Sequence, residues 1–268
     1  MPDLPNPSLP LSRVKLLSLA LLFLAISCGG GTTLRVFAAS SLTGPFKDIA
    51  KAFEAQRPGV AVALDFGGSQ RLRSQLEFGA KADVFASADT VQMEALVAAG
   101  LVSGTPVDFA LNGLVIIAMP EGPVNEISDL ARPGVRVVLA QRNVPVGSYS
   151  RQVLENLSKD RSLGLGGQFE NRVLDNLVSE EPNVRTVAQK VTLGEVDAGI
   201  VYRTDTAQAG LAGNVLVISI PVVANVNAQY PIAVLEEGSE PELAQAFVRF
   251  VLSESGQRIL NEYGFTSP

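Results

Sequence analysis

The sequence contains no histidine, no tryptophan, one cysteine and four tyrosines in 268 residues. Without histidine or a second cysteine there is no Ser-His-Asp or Cys-His pair and no imidazole or multi-thiolate metal site, which removes most hydrolases and metalloenzymes. Basic charge is scarce too. Lys+Arg number 21 against 27 Asp+Glu, a formal net charge of −6, and no Lys/Arg run appears to neutralise phosphates, so nucleic acid is not an expected partner. What remains is ordinary globular composition, 47% hydrophobic and 18% charged, with enough chain for one large or two small domains.

The single cysteine has a context. Arg13 and Lys15 precede an apolar run, Leu16 to Ile26, that is too short for a comfortable membrane span and reads as the core of a signal peptide covering residues 1–27. The run ends in Leu24-Ala25-Ile26-Ser27-Cys28-Gly29-Gly30-Gly31, small residues before a cysteine and then glycines, which resembles a bacterial lipoprotein processing site. Cys28 is then the expected lipidated N-terminus and residues 28–33 a tether. The competing reading is an ordinary signal peptide with an incidental cysteine. Processing at Cys28 removes Asp3, Arg13 and Lys15 and takes the charge to −7. An anionic ligand would therefore have to be held by local donors, not drawn in by net charge.

Beyond the glycines, strand and helix patterns alternate. Leu34 to Ala39 reads as a strand, and Phe46, Ile49, Ala50 and Phe53 recur at i, i+3, i+4, i+7, as on one face of a helix. Pro58-Gly59 ends that helix, and Val60 to Leu64 alternates into a second strand. Further strands are expected at Asp83 to Ala86, Gly113 to Ala118, Val135 to Ala140, Ala198 to Tyr202, Val215 to Ile220 and Pro231 to Leu235. Helices are expected at Leu72 to Leu76, around Met93 to Val97, and at Tyr149 to Leu157, Val184 to Leu193 and Glu242 to Leu252. This is an α/β chain of mainly parallel sheets covered by helices. The Gly164 to Gly167 stretch is expected to be a surface loop.

In such sheets ligands sit beyond the carboxyl ends of strands, where helix N-termini offer free N–H groups. Two strand-to-helix turns carry serine, Ala38-Ala39-Ser40-Ser41-Leu42-Thr43 and Phe66-Gly67-Gly68-Ser69-Gln70-Arg71-Leu72, and a third is Asn143-Val144-Pro145-Val146-Gly147-Ser148-Tyr149. A serine there can present both a hydroxyl and an amide to an anion. Either serine turn alone says little, because serine is a favoured helix cap anywhere.

At these places the chain resembles the molybdate-binding proteins of ABC transporters, a family of two-lobed, hinged periplasmic binding proteins. The likeness runs from Leu34 to Phe265 through Val36-Phe37-Ala38-Ala39-Ser40-Ser41-Leu42-Thr43, Ser69-Gln70-Arg71-Leu72, Ala82-Asp83-Val84-Phe85-Ala86-Ser87-Ala88-Asp89, Val144-Pro145-Val146-Gly147-Ser148-Tyr149, Asn183-Val184-Arg185, Gly199-Ile200-Val201-Tyr202, Tyr230-Pro231-Ile232-Ala233 and Tyr263-Gly264-Phe265. It departs at Gly67 to Arg71, where serine and threonine are commoner. The resemblance implies a type II binding-protein fold, each lobe a mainly parallel sheet flanked by helices, with residues 34–111 plus 217–268 in one lobe and 112–216 in the other.

It further implies that Ser41 and Ser69 donate to molybdate, or tungstate, from one lobe. The amides of Val146 and Val184 and the phenol of Tyr202 would donate from the other. All are neutral donors, which suits a dianion that carries no proton; phosphate, often protonated, would favour a carboxylate acceptor. The implied partners are the permease subunits of an ABC transporter and, through Cys28, the outer face of a membrane. A monomer with no cofactor and no catalytic residue is expected. The same fold could instead bind another oxyanion such as sulfate. From a different class, a surface adhesin or structural lipoprotein would predict no saturable anion binding, and a two-lobed effector domain of a transcription regulator is disfavoured by the signal peptide.

Overall fold

In the computed structural model the first strand, β1 (Thr32–Ala39), buries Leu34, Val36 and Ala38 completely, so alternate residues anchor it in the core. The structure describes residues 31–207 and 213–268, together with Met1 and Asp3; the apolar run of the signal peptide and Cys28 lie outside the described residues. The strand begins two residues before Leu34, in what the sequence assigns to the tether, because Thr32 N–H donates to the Gly59 carbonyl at 3.0 Å and pairs with Val60 in β2 (Val60–Gly67).

Between them α1 (Thr43–Ala55) buries Phe46, Ile49, Ala50 and Phe53, the face its spacing predicts. That face meets α7 (Pro241–Leu252): Phe53 lies edge-on to Phe247 at 5.2 Å and to Phe250 at 5.6 Å. Each such pair contributes about 0.5–1.5 kcal/mol beyond the area it buries.

The first sheet has the order β2-β1-β3-β10-β4, adding β3 (Val84–Ala86), β4 (Val102–Asn112) and β10 (Ala228–Leu235). Only β10 runs against the other strands. The second sheet has the order β7-β6-β8-β5-β9, from β5 (Leu114–Ala118), β6 (Val137–Ala140), β7 (Leu177–Glu181), β8 (Ala198–Tyr202) and β9 (Leu216–Ser219). Here β5 is the reversed strand. The helices α2 (Ser69–Glu77), α3 (Thr90–Ala98) and α8 (Glu254–Glu262) belong with the first sheet, and α4 (Pro145–Lys159), α5 (Phe169–Asp175) and α6 (Val184–Thr192) with the second. The result is a two-lobed α/β fold.

The chain crosses between sheets twice, from β4 to β5 and from β9 to β10. The return lies later than the sequence reading had it. That reading resumed the first lobe at 217, but Val217 pairs with Ile117 and Ser219 with Val115 in the second sheet. Leu216 and Ile218 pack against the core there, which holds β9 to β5. Likewise Asn112, assigned to the second lobe, pairs with Ala228 in the first sheet. At the crossings the Asn225 side chain bonds both the N–H (3.0 Å) and the carbonyl (2.9 Å) of Leu114, tying the two connecting segments together.

Four elements were not anticipated. β4 carries Gly104 at φ 76° and Pro106, ordinary strand breakers. It tolerates them as an edge strand whose pairing with β10 shifts register. β7 is the other sheet's edge and ends in two glutamates. α5 has seven residues, and α8 follows α7 after Ser253, whose hydroxyl caps it at Gly256 N–H.

Candidate functional site

The starts of four helices meet in the cleft between the sheets. Ser41 sits in a single 3-10 turn (Ser40–Leu42) that leads into α1; Ser69 is the first residue of α2, Val146 the second of α4, and Val184 the first of α6. These four and Tyr202, the last residue of β8, line one cavity with about 190 Å³ of empty space, including the part open to solvent. The cavity suits something the size of an inorganic ion.

The helix starts are uncapped by side chains where sequence rules would expect caps. Neither serine is a cap: the capping positions are Ala39 and Leu42 ahead of α1, Gly68 ahead of α2 and Val144 ahead of α4, and none makes a side-chain capping bond. Alanine, leucine and valine are poor caps, and each helix start leaves up to four N–H groups without an intrahelical partner. Only α6 is capped, by neutral Asn183, whose side chain accepts from Thr186 N–H at 3.1 Å and leaves the amide of Val184 to the cavity. Partial positive charge from four helix ends therefore converges on one small space.

The hydroxyls are turned toward that space by their neighbours. Ala88 N–H donates to Ser69 Oγ at 3.1 Å, so the serine proton is left to point elsewhere. Ser41 Oγ lies 3.0 Å from the Tyr230 hydroxyl, which itself accepts from Asn112 Nδ2 at 3.5 Å. Either oxygen of the Ser41–Tyr230 pair can donate; in the arrangement where Tyr230 donates, the Ser41 proton is free for a ligand in the cavity. Tyr202 completes the set. It is 1% exposed, its ring stands edge-on to Tyr230 at 5.6 Å, and its hydroxyl makes no hydrogen bond of good geometry among the described residues, with the Tyr230 phenol the polar group beside it. A buried hydroxyl without a good hydrogen bond costs about 1–3 kcal/mol unless a ligand supplies one.

Among the described residues no charged side chain lines the cavity. Two carboxylates stand behind its walls. Asp89 caps α3, accepting from Gln92 N–H at 2.9 Å, and burial pushes its carboxyl up to about 6. Asp205 accepts from Tyr202 N–H at 3.2 Å, and burial pushes it up to about 7 despite the charge of Arg185. Burial, then the neighbouring phenols of Tyr230 and Tyr149, drive the Tyr202 phenol well above its ordinary range, so it stays a donor throughout physiological pH. Arg71, beside the site in sequence, turns away to Asp65 (3.4 Å) and the Phe66 carbonyl (3.0 Å).

The structure thus brings all five sequence-selected residues to one cavity. Sequence reasoning gave no role to Ser40 and Gly68, which also line it, or to Tyr230 and Asn112, which orient Ser41. The serine doublet and the Tyr230-Pro231 stretch were the available signals; the pairing across 189 residues was not.

The profile of the bacterial extracellular solute-binding proteins matches residues 34–266. The chain belongs to that family. Its relatives include the molybdate-binding protein ModA of Mycobacterium tuberculosis, 41% identical over 241 residues, covering 89% of this chain and 86% of that protein. Among solved structures, the periplasmic molybdate-binding protein of Azotobacter vinelandii superposes with a TM-score of 0.75 at 23% identity, covering 88% of this chain and 99% of that one. The sulfate-binding protein SubI of Mycobacterium tuberculosis reaches 0.76 at 20% identity, covering 88% and 87%. At such identities these structures speak for the fold alone. As a solute-binding protein the chain has a binding role in transport outside the cytoplasm, and no described helix is long and apolar enough to cross a membrane.

Proposed function

We propose that this solute-binding protein captures molybdate, and tungstate by the same contacts, and delivers it to the permease of an ABC transporter. The observation that carries the reading is the buried Tyr202 hydroxyl on a small cavity lined by the starts of four helices, three of them without a side-chain cap, and by Ser41 and Ser69. The identity to the mycobacterial relative over most of both chains supports molybdate as the ligand. Every donor is neutral, so a dianion's charge is matched by N–H and O–H dipoles in a space that excludes water, where each bond is stronger than in solvent.

In this reading Ser41, Ser69, Val146, Val184 and Tyr202 are the ligand contacts, from both lobes, and closure completes the set. The protein acts as a monomer with no cofactor and no catalytic step. Residues 1–27 direct export, and a lipid on Cys28 keeps the protein at the outer face of the membrane beside its transporter.

Calorimetric titration with molybdate, tungstate, sulfate and phosphate tests the proposal. Molybdate and tungstate are expected to bind, with sulfate and phosphate weaker by on the order of tenfold or more. A preference for sulfate would keep the fold and replace the ligand; no binding by any of the four would defeat the reading.

A further inference from the structure

Two glutamines bridge the lobes on either side of the cavity. Gln70, second residue of α2, donates from Nε2 to the Pro182 carbonyl at 2.9 Å, and Gln92, third residue of α3, donates from Nε2 to the Asn143 carbonyl at 3.3 Å. Both residues are 8% exposed. The two acceptors occupy equivalent places. Pro182 immediately precedes the cap of α6, and Asn143 immediately precedes the cap of α4. Each bond therefore runs from the first turn of a helix in one lobe to the backbone that leads into a cavity-lining helix of the other.

From this arrangement we infer that Gln70 and Gln92 are a paired latch that holds the lobes closed and sets how fast a captured ion escapes. The inference rests on the oxyanion-capture reading above. Neither glutamine contributes to the cavity wall, so the latch acts by position: while both bonds hold, the starts of α4 and α6 stay on the ion. Only an amide does this well. A glutamate of the same size would bring a carboxylate to a carbonyl oxygen, acceptor against acceptor. The ion enters through the open form, in which neither bond is made, and opening must break both before it can leave, so they bear on its release and not on its arrival.

The test is the release rate of radiolabelled molybdate, after a chase with unlabelled molybdate, from wild type, Gln70→Ala, Gln92→Ala, the double Ala variant, and Gln70→Glu/Gln92→Glu. Each single Ala change is expected to speed release about two- to tenfold, and the double change about four- to a hundredfold. Association rates and urea midpoints of the ligand-free proteins should stay at wild-type values. The Glu pair preserves side-chain size and checks the result should the Ala pair fold poorly. Wild-type release rates in the folded double variants would overturn the latch. Failure of wild type to bind molybdate would instead count against the capture reading, and the latch would then be read from X-ray scattering of the ligand-free proteins. A larger radius of gyration in the double variant would support it, and identical profiles would overturn it.

Discussion

Tyr202→Phe is expected to weaken molybdate binding about ten- to a hundredfold while leaving the ligand-free protein as stable as wild type or slightly more so. The two effects have one origin. A hydrogen bond to a charged group contributes about 1.5–3 kcal/mol, and the variant loses it. In the ligand-free protein the same hydroxyl is buried without a hydrogen bond of good geometry among the described residues, so removing it relieves a poorly met demand. The ring remains, with its edge contact to Tyr230 at 5.6 Å, so packing is conserved. Calorimetry and urea denaturation on the same preparation measure both halves. A variant that is destabilised and binds normally would mean that the hydroxyl serves the fold and not the ligand.

Gly68→Ala is expected to cost a comparable factor in affinity by a different route. The backbone of Gly68, at φ −60° and ψ 135°, suits alanine, so the substitution strains nothing locally and should leave the unfolding midpoint unchanged or raised. The obstacle lies across the cleft. An added Cβ would sit 2.6 Å from the Pro182 carbonyl oxygen, a backbone atom of the other lobe, and 2.4 Å from Gln70 Oε1. The glutamine can swing aside, but then it gives up its own bond to Pro182. Closure therefore becomes less favourable by about 1–3 kcal/mol, a five- to hundredfold loss of affinity, with no ligand contact removed. Titration of the variant with molybdate checks this, and wild-type affinity would show that the Pro182 segment yields.

The two residues also show what the sequence could and could not convey. β1 and α1 were legible because burial there follows a simple period: alternate residues in the strand, and Phe46, Ile49, Ala50 and Phe53 in the helix. The edge strands β4 and β7 were not, since half-exposed strands tolerate glycine, proline and glutamate and lose the pattern. The serine turns stood out by composition, yet their meaning differs from the rule that found them. Serine was weighed as a helix cap, whereas the caps are alanine, leucine, glycine and valine, and it is the absence of capping bonds that leaves N–H groups facing the cavity. Tyr202 could be placed at a strand end from its apolar neighbours. That its hydroxyl lacks a hydrogen bond of good geometry depends on which distant side chains surround it, and no local pattern carries that. The same holds for Gly68, whose importance comes from Pro182, 114 positions later in the chain.

The most direct test of the proposed function is whether a molybdate ion occupies the cavity between the two sheets. Diffraction from crystals grown with molybdate, recorded at the molybdenum absorption edge, measures this directly. The expected result is a single strong anomalous peak with oxygen density within about 2.7–3.2 Å of the Ser41 and Ser69 hydroxyls, the Val146 and Val184 amides and the Tyr202 hydroxyl. A peak elsewhere, or an empty cavity in protein that calorimetry shows to be saturated, would contradict it.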